Sequence, residues 1–234
     1  MSEPGQPAHP PHLHPTAPLA ERVLLPGDPG RALVLAQALL EEPRMFNHHR
    51  GLWGYTGAAP DGAPLTIQAT GMGGPSAAIV LTELIALGAR RAIRVGTCGA
   101  LDGSLALGEL VIAREAICAD GTSRALGAGG RAAADEALSS ALEAAAPAAR
   151  AGTVVSVDLF YERGPAGAGH RALAVEMEAA ALFALGRIEG AQVGCVLAVT
   201  DTFDAQGART RIDDHALLAA AERMGRAAIA ALSG

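Results

Sequence analysis

The chain has 234 residues, half of them apolar and 18% charged, enough apolar material for one sizeable core. A net charge of −6 argues against a nucleic-acid backbone as partner. All 18 basic residues are arginine, which excludes Schiff-base, pyridoxal-phosphate and Walker-type chemistry, each of which needs a lysine amine.

Residues 1–18 are rich in Pro and His (His9, His12, His14) and predict an extended, loosely ordered arm, with one domain from 19 to 234. Arg22–Leu25 reads as a strand stopped by Pro26-Gly27-Asp28-Pro29, and Arg31–Leu40 as a helix. Trp53–Thr56 and Leu65–Ala69 read as strands around a turn at Asp61-Gly62. A helix is expected over Pro75–Leu87, with Pro in its first turn and Gly88 just past its end. Ala92–Val95 and Glu109–Ala113 are strands, and the glycines at 121–131 predict the most flexible interior loop. Residues 132–146 read as a helix, Val154–Val157 as a strand, Glu178–Gly186 as a helix and Gln192–Val199 as a long strand. A helix over 213–232 closes the chain. Strands that alternate with helices and are apolar throughout imply an α/β domain with a mostly buried sheet.

No apolar run reaches the ~20 residues of a membrane span, and no charged-then-apolar leader opens the chain. Cys98, Cys118 and Cys195 are isolated, with no metal-type spacing. The expectation is a cytoplasmic protein with no membrane or nucleic-acid partner, no disulfide framework and no metal site.

Ligands of such sheets sit at the carboxyl ends of strands, and four strand ends carry polar residues. Gly27-Asp28-Pro29-Gly30-Arg31 combines a close-approach backbone with an arginine at a helix start, although an ordinary turn explains it equally. Arg94-Val95-Gly96-Thr97-Cys98-Gly99 brings a guanidinium and a hydroxyl to one corner, suited to forked contact with an anion. Glu176-Met177-Glu178 precedes a helix, where acids also simply complement the dipole. Asp201 ends the apolar strand 192–199, where it could equally cap a turn.

Taken in order, Leu-Pro-Gly-Asp-Pro-Gly-Arg, Arg-Gly-Leu-Trp-Gly-Tyr-Thr-Gly, Thr-Gly-Met-Gly-Gly-Pro-Ser, Arg-Val-Gly-Thr-Cys-Gly-Ala, Asp-Leu-Phe-Tyr, Val-Glu-Met-Glu-Ala-Ala and Val-Thr-Asp resemble the nucleoside phosphorylase-I family. The similarity is greater to its hexameric bacterial purine nucleoside phosphorylase branch and runs from about residue 11 to the C-terminus. It implies a single three-layer α/β/α domain around a mixed, mostly buried central sheet. It also implies reversible phosphorolysis of purine (deoxy)ribonucleosides, with inorganic phosphate as co-substrate and no metal or organic cofactor.

Carried onto this chain, the resemblance puts Gly27, Arg31, Arg94 and Thr97 around phosphate, with Arg50 reaching a neighbouring subunit's site. Met72, Met177 and Glu178 would hold the ribose, joined by His12 from a neighbour's arm. Cys98, Gly99, Phe160, Val175, Glu176 and Thr200 would line the base site, with Phe160 stacked on the purine. Asp201 would protonate N7 as the base leaves, assisted by Arg209 or Arg211. An acid there implies that adenosine is accepted. Shared sites imply a homo-oligomer, a hexamer built as a trimer of dimers.

The chain departs from the family pattern in three places. Thr97 and Thr200 stand where serine is common, the segment after Asp201 is short, and His12 lies one residue closer to Gly27. A methylthioadenosine phosphorylase fits the same motifs. A uridine phosphorylase fits them less well, since Tyr161–Val175 is short and lacks the glutamine expected to read uracil. A silent purine- or phosphate-binding module is the non-enzymatic alternative.

Overall fold

The computed structural model describes residues 10–161, 169–204 and 206–234. Among these, β1 (Arg22–Leu25) sits mid-sheet, paired in parallel with β4 (Pro64–Gln68) on one side and β5 (Arg91–Ala100) on the other. Its pleat explains the apolar run after Arg22: Val23 and Leu25 enter the core on one face and Leu24 the core on the other.

On the Leu24 face lie α1 (Pro29–Leu39), α4 (Glu136–Ala145) and α6 (Asp214–Ser233), contributing Leu35, Leu138 and Met224. On the Val23 face lie α2 (Gly74–Leu87) and α5 (Ala179–Glu189), contributing Val80, Leu84 and Leu182. The chain is therefore a single α/β domain, with helices on both faces of a mixed sheet.

Antiparallel strands β3 (Gly54–Ala58) and β2 (Glu41–Asn47) extend one side beyond β4. On the other side, β10 (Gln192–Phe203) runs parallel to β5 and antiparallel to β6 (Leu110–Cys118). From β6 the pairing continues through β8 (Arg150–Ser156) to β9 (Ala174–Glu176), which returns antiparallel to β5. The five strands β5, β10, β6, β8 and β9 thus close a ring, with short β7 (Arg131–Ala133) and β11 (Arg209–Arg211) attached to β6 and β10. No described helix is long and apolar enough to cross a membrane.

Several expectations are corrected. Residues 10–18 are not loose: Leu13 is fully buried, its N–H donates to Glu83 at 2.7 Å, and Thr16 N donates to Phe46 O at 2.8 Å. Residues 1–9, with His9, lie outside the described residues. The expected loop at 121–131 contains α3 (Gly121–Ala125) and the start of β7, because the Asp120 carboxylate caps the Ser123 N–H at 2.7 Å. Helix α1 begins at Pro29, its first turn capped by Asp28, which accepts from Arg31 N at 2.6 Å. The strands at 92 and 192 do not stop at Val95 and Val199. They run on to Ala100 and Phe203, so the glycine-rich corner and Asp201 lie within strands.

Candidate active site

Alternation along β5 places Arg94, Gly96 and Cys98 on the α2/α5 face, and Val95 and Thr97 on the face of α1. The Arg94 side chain lies back over its own strand. A Cβ built at Gly96 would stand 2.7 Å from Arg94 Cζ and Nη2, so only glycine leaves that space. Sequence reasoning passed over Gly96, although its position two residues from Arg94 on the same face was the available signal.

From there the guanidinium meets the start of α5. Its Nη2 contacts Glu178 Oε2 at 2.5 Å, and its Nε donates to Glu176 Oε2 at 3.1 Å. Among the described residues, Nη1 is buried without a hydrogen-bond partner. A Cβ built at Gly27 would lie 4.0 Å from that Nη1 and 3.3 Å from Gly71 O, so the β1–α1 turn passes close to the orphan donor. Burial opposes the Arg94 charge, but Glu178 and Glu176 hold its pKa above the ordinary arginine range. Arg31, in the first turn of α1, is pulled below that range by burial. Asp28 opposes the shift and the nearby Arg94 adds to it.

The two glutamates divide their work. Glu176 is wholly enclosed: Ser156 Oγ donates to its Oε1, Ala179 N reaches the same oxygen at 3.0 Å, and Glu178 N reaches Oε2 at 2.9 Å. Burial pushes its carboxyl up from the usual range, with Arg94 opposing. In this structure its lone pairs are taken by a helix start and a guanidinium. Ser156, which sequence reasoning missed, also accepts from Ala180 N at 2.9 Å. Glu178 instead accepts from Gly73 N at 2.5 Å, which ties the Gly71–Gly73 loop to α5. Met72 within that loop is 87% exposed, while Met177 packs beside Val155 and Val175.

Asp201 lies on the other side of the β5 corner. A register shift in β10 between Val199 and Asp201 sets Asp201 opposite Gly99. Thr200 Oγ1 lies 3.2 Å from Cys98 O, and it donates to Asp201 Oδ2 at 2.8 Å. Strand β11 then folds back with Arg211 opposite Asp201. Arg209 Nε donates to Asp201 Oδ1 at 2.6 Å, while Arg211 Nη1 stands at 3.5 Å. Arg209 is thus the tighter partner, and its guanidinium also lies 5.0 Å from the centre of the half-exposed Phe160 ring. Gly99 pairs with Val175, and a Cβ on it would meet Val175 Cγ1 at 3.3 Å and the Phe203 ring at 3.5 Å. Phe203 is a second aromatic wall that the sequence did not single out. Burial raises the Cys98 thiol well above its usual range, leaving it an unreactive apolar neighbour.

The structure thus gathers Gly27, Arg31, Arg94 and Glu178 on one side, and Gly99, Val175, Phe160, Thr200, Asp201, Arg209 and Arg211 on the other. No hydrogen bond or ion pair among the described residues joins His12 or Arg50 to either group. His12 is held by Glu83, its Nδ1 2.6 Å from Oε1. Glu83 lies nine residues past the first residue of α2, ~13 Å along the helix axis. Arg50 is exposed on the 3-10 turn His49–Gly51.

A family model described as the phosphorylase superfamily matches residues 21–233, from the first strand to the last helix. The chain belongs to that superfamily. It is 37% identical over 195 residues to a protein of Oceanobacillus iheyensis named purine nucleoside phosphorylase DeoD-type, covering 78% of this chain and 83% of that one. Proteins of the same name from Geobacillus kaustophilus and Alkaliphilus metalliredigens are 39% and 37% identical. The matched stretches cover 80% and 82% of this chain and 83% and 87% of theirs.

Proposed function

We propose that the chain catalyses reversible phosphorolysis of purine nucleosides, adenosine among them. The observation that carries the reading is the buried, unpartnered Nη1 of Arg94, close to the Gly27 turn and to Arg31. Buried donors are nearly always satisfied, and a phosphate oxygen satisfies this one, with the Arg31 guanidinium nearby to meet its charge. Thr97, half-buried on the α1 face of β5, supplies a hydroxyl to the same anion.

Bound there, a phosphate oxygen attacks the sugar C1′ while the bond from C1′ to the purine breaks. The Glu178 carboxylate holds the ribose hydroxyls and stabilises positive charge on the ring, as a carboxylate does beside an oxocarbenium ion. The electron pair of the broken bond stays with the base, and a proton from Asp201 neutralises it at N7. Arg209 Nε, 2.6 Å from Oδ1, stabilises the carboxylate that remains. Phe160 stacks on the base, Met177 borders the sugar, and phosphate is the only co-substrate. Arg50 and His12 act in a neighbouring subunit of a homohexamer, a reading supported by the lack of any hydrogen bond or ion pair from either to the cluster among the described residues. Conversion of these residues to a methylthioadenosine site changes only the 5′ pocket, and no distance above favours it.

The test is release of adenine from adenosine with and without phosphate. Release that depends on phosphate supports the reading, whereas equal release without phosphate makes the protein a hydrolase. No release from any purine nucleoside makes it a binding module. Asp201→Asn is expected to lower adenosine kcat by about 10²–10⁴-fold, the usual worth of a general acid. Unchanged turnover in that variant removes Asp201 from the chemistry.

A further inference from the structure

Among the described residues, four histidines lie in or beside the N-terminal arm and the Arg50 turn, and the proposed chemistry uses only His12. His14 and His49 stack, with ring centroids 3.8 Å apart and planes at 18°. One side chain aligns the two backbones: Asn47 Oδ1 accepts from His14 N at 2.9 Å and from His49 N at 3.3 Å. Its Nδ2 donates to Leu52 O at 2.6 Å, closing the far side of the turn. Between them, Arg50 has φ 57° and ψ 19°, a left-handed conformation that a non-glycine residue keeps only where its surroundings hold it. The arm is anchored on both sides of His14, by Glu83 at His12 and Leu13 and by Phe46 O at Thr16.

We propose that His14 and His49 are positioning residues whose stacked imidazoles pin the arm to the turn that carries Arg50, and that the pin loosens when both rings are protonated. The inference rests on the reading that Arg50 serves a phosphate site. Neutral imidazoles stack favourably, and one cation on a neutral ring is still tolerated, but two cations at this separation repel. The neighbouring charges add to that repulsion. His12 on the arm and His48 and Arg50 on the turn are all cationic when protonated. Glu83 of α2, the carboxylate that holds the arm, is already engaged with His12. Partial burial, then His14 and Arg50, hold His49 below its ordinary pKa, which favours the neutral ring that stacks.

The test uses the full chain, with phosphate varied at pH 7.5 and 5.5, alongside amide hydrogen exchange over residues 12–16. His49→Ala is expected to raise the KM for phosphate about three- to tenfold at pH 7.5, the range a lost aromatic stack supplies, with kcat within about twofold. Its arm amides are expected to exchange faster than wild type. His49→Phe keeps a ring without a titrating nitrogen. It is expected to retain the wild-type KM at pH 7.5 and to show a smaller rise in KM at pH 5.5, phosphate's own ionisation being common to both proteins. Wild-type KM and exchange in His49→Ala, or wild-type pH dependence in His49→Phe, overturn the proposal. If the wild-type protein shows no phosphorolysis, the functional reading fails, and arm exchange in His49→Ala alone decides the pin.

Discussion

At the scale of single residues, the site depends on space as much as on charge. Arg94 reaches Glu178 because residue 96 has no side chain, and a Cβ there would overlap the guanidinium at 2.7 Å. Gly96→Ala keeps every charged group but displaces the arginine by a sizeable fraction of an ångström or breaks its contact with Glu178. A misplacement of that order costs about 10²-fold in a positioned reaction. The expected result is a drop in kcat/KM for phosphate of about 10–10²-fold, with little change in the circular dichroism of the folded protein. Wild-type kinetics in this variant would show that Arg94 need not lie over its strand. The arginine, both glutamates and Asp201 stood out in the sequence by their polarity at strand ends. Gly96 and Ser156 did not, because a glycine's empty space and a serine's partner are properties of the folded neighbourhood.

At the scale of elements, the start of α5 is the joint between the two halves of the site. Ser156, at the end of β8, donates to Glu176 and accepts from Ala180 N, so one hydroxyl ties a strand, a carboxylate and a helix together. Ser156→Ala leaves the buried Ala180 N–H without its acceptor and Glu176 without one donor. Each unsatisfied buried group costs about 1–3 kcal/mol. A loss near 2 kcal/mol lowers Tm by about 4–8 °C in a chain of this size. Differential scanning calorimetry checks this, and an unchanged Tm would show that neither group relies on Ser156.

The strongly periodic elements were legible in the sequence. Helices α1, α2 and α6 and strands β1 and β8 fall within a few residues of their expected bounds. Strand β2 was missed because Glu41-Glu42-Pro43-Arg44 is polar, as suits an exposed edge strand. β9 and β11 have three residues each and owe their form to the strands they pair with, which no local pattern reveals. The proximity of Arg209 to Asp201 follows from that pairing, and this is why the sequence left Arg209 and Arg211 as equal candidates.

Across the whole molecule, the first strand and the last helix meet at one hairpin turn. The Arg22 guanidinium, at the start of β1, forks onto Asp61 in the β3–β4 turn, with contacts of 2.6 and 3.0 Å. Ser233, the last residue of α6, donates to Asp61 Oδ2 at 2.5 Å. The Asp61 carboxylate therefore joins the first strand, a hairpin and the final helix. The Arg22 and Ser233 hydrogen bonds hold its pKa well below the usual carboxylate range. A depressed folded-state pKa means that the unfolded chain binds the proton more readily. The contribution to stability is thus present above the unfolded value near ~4 and lost as pH falls below it. Asp61 is partly exposed and solvent screens the pair, so the contribution is about 1 kcal/mol or less. Asp61→Asn is expected to lower Tm by about 2–4 °C at pH 7, with the difference from wild type shrinking steadily below pH ~4. A difference that stays constant down to pH ~2 would assign the loss to packing of the turn instead of to the charge.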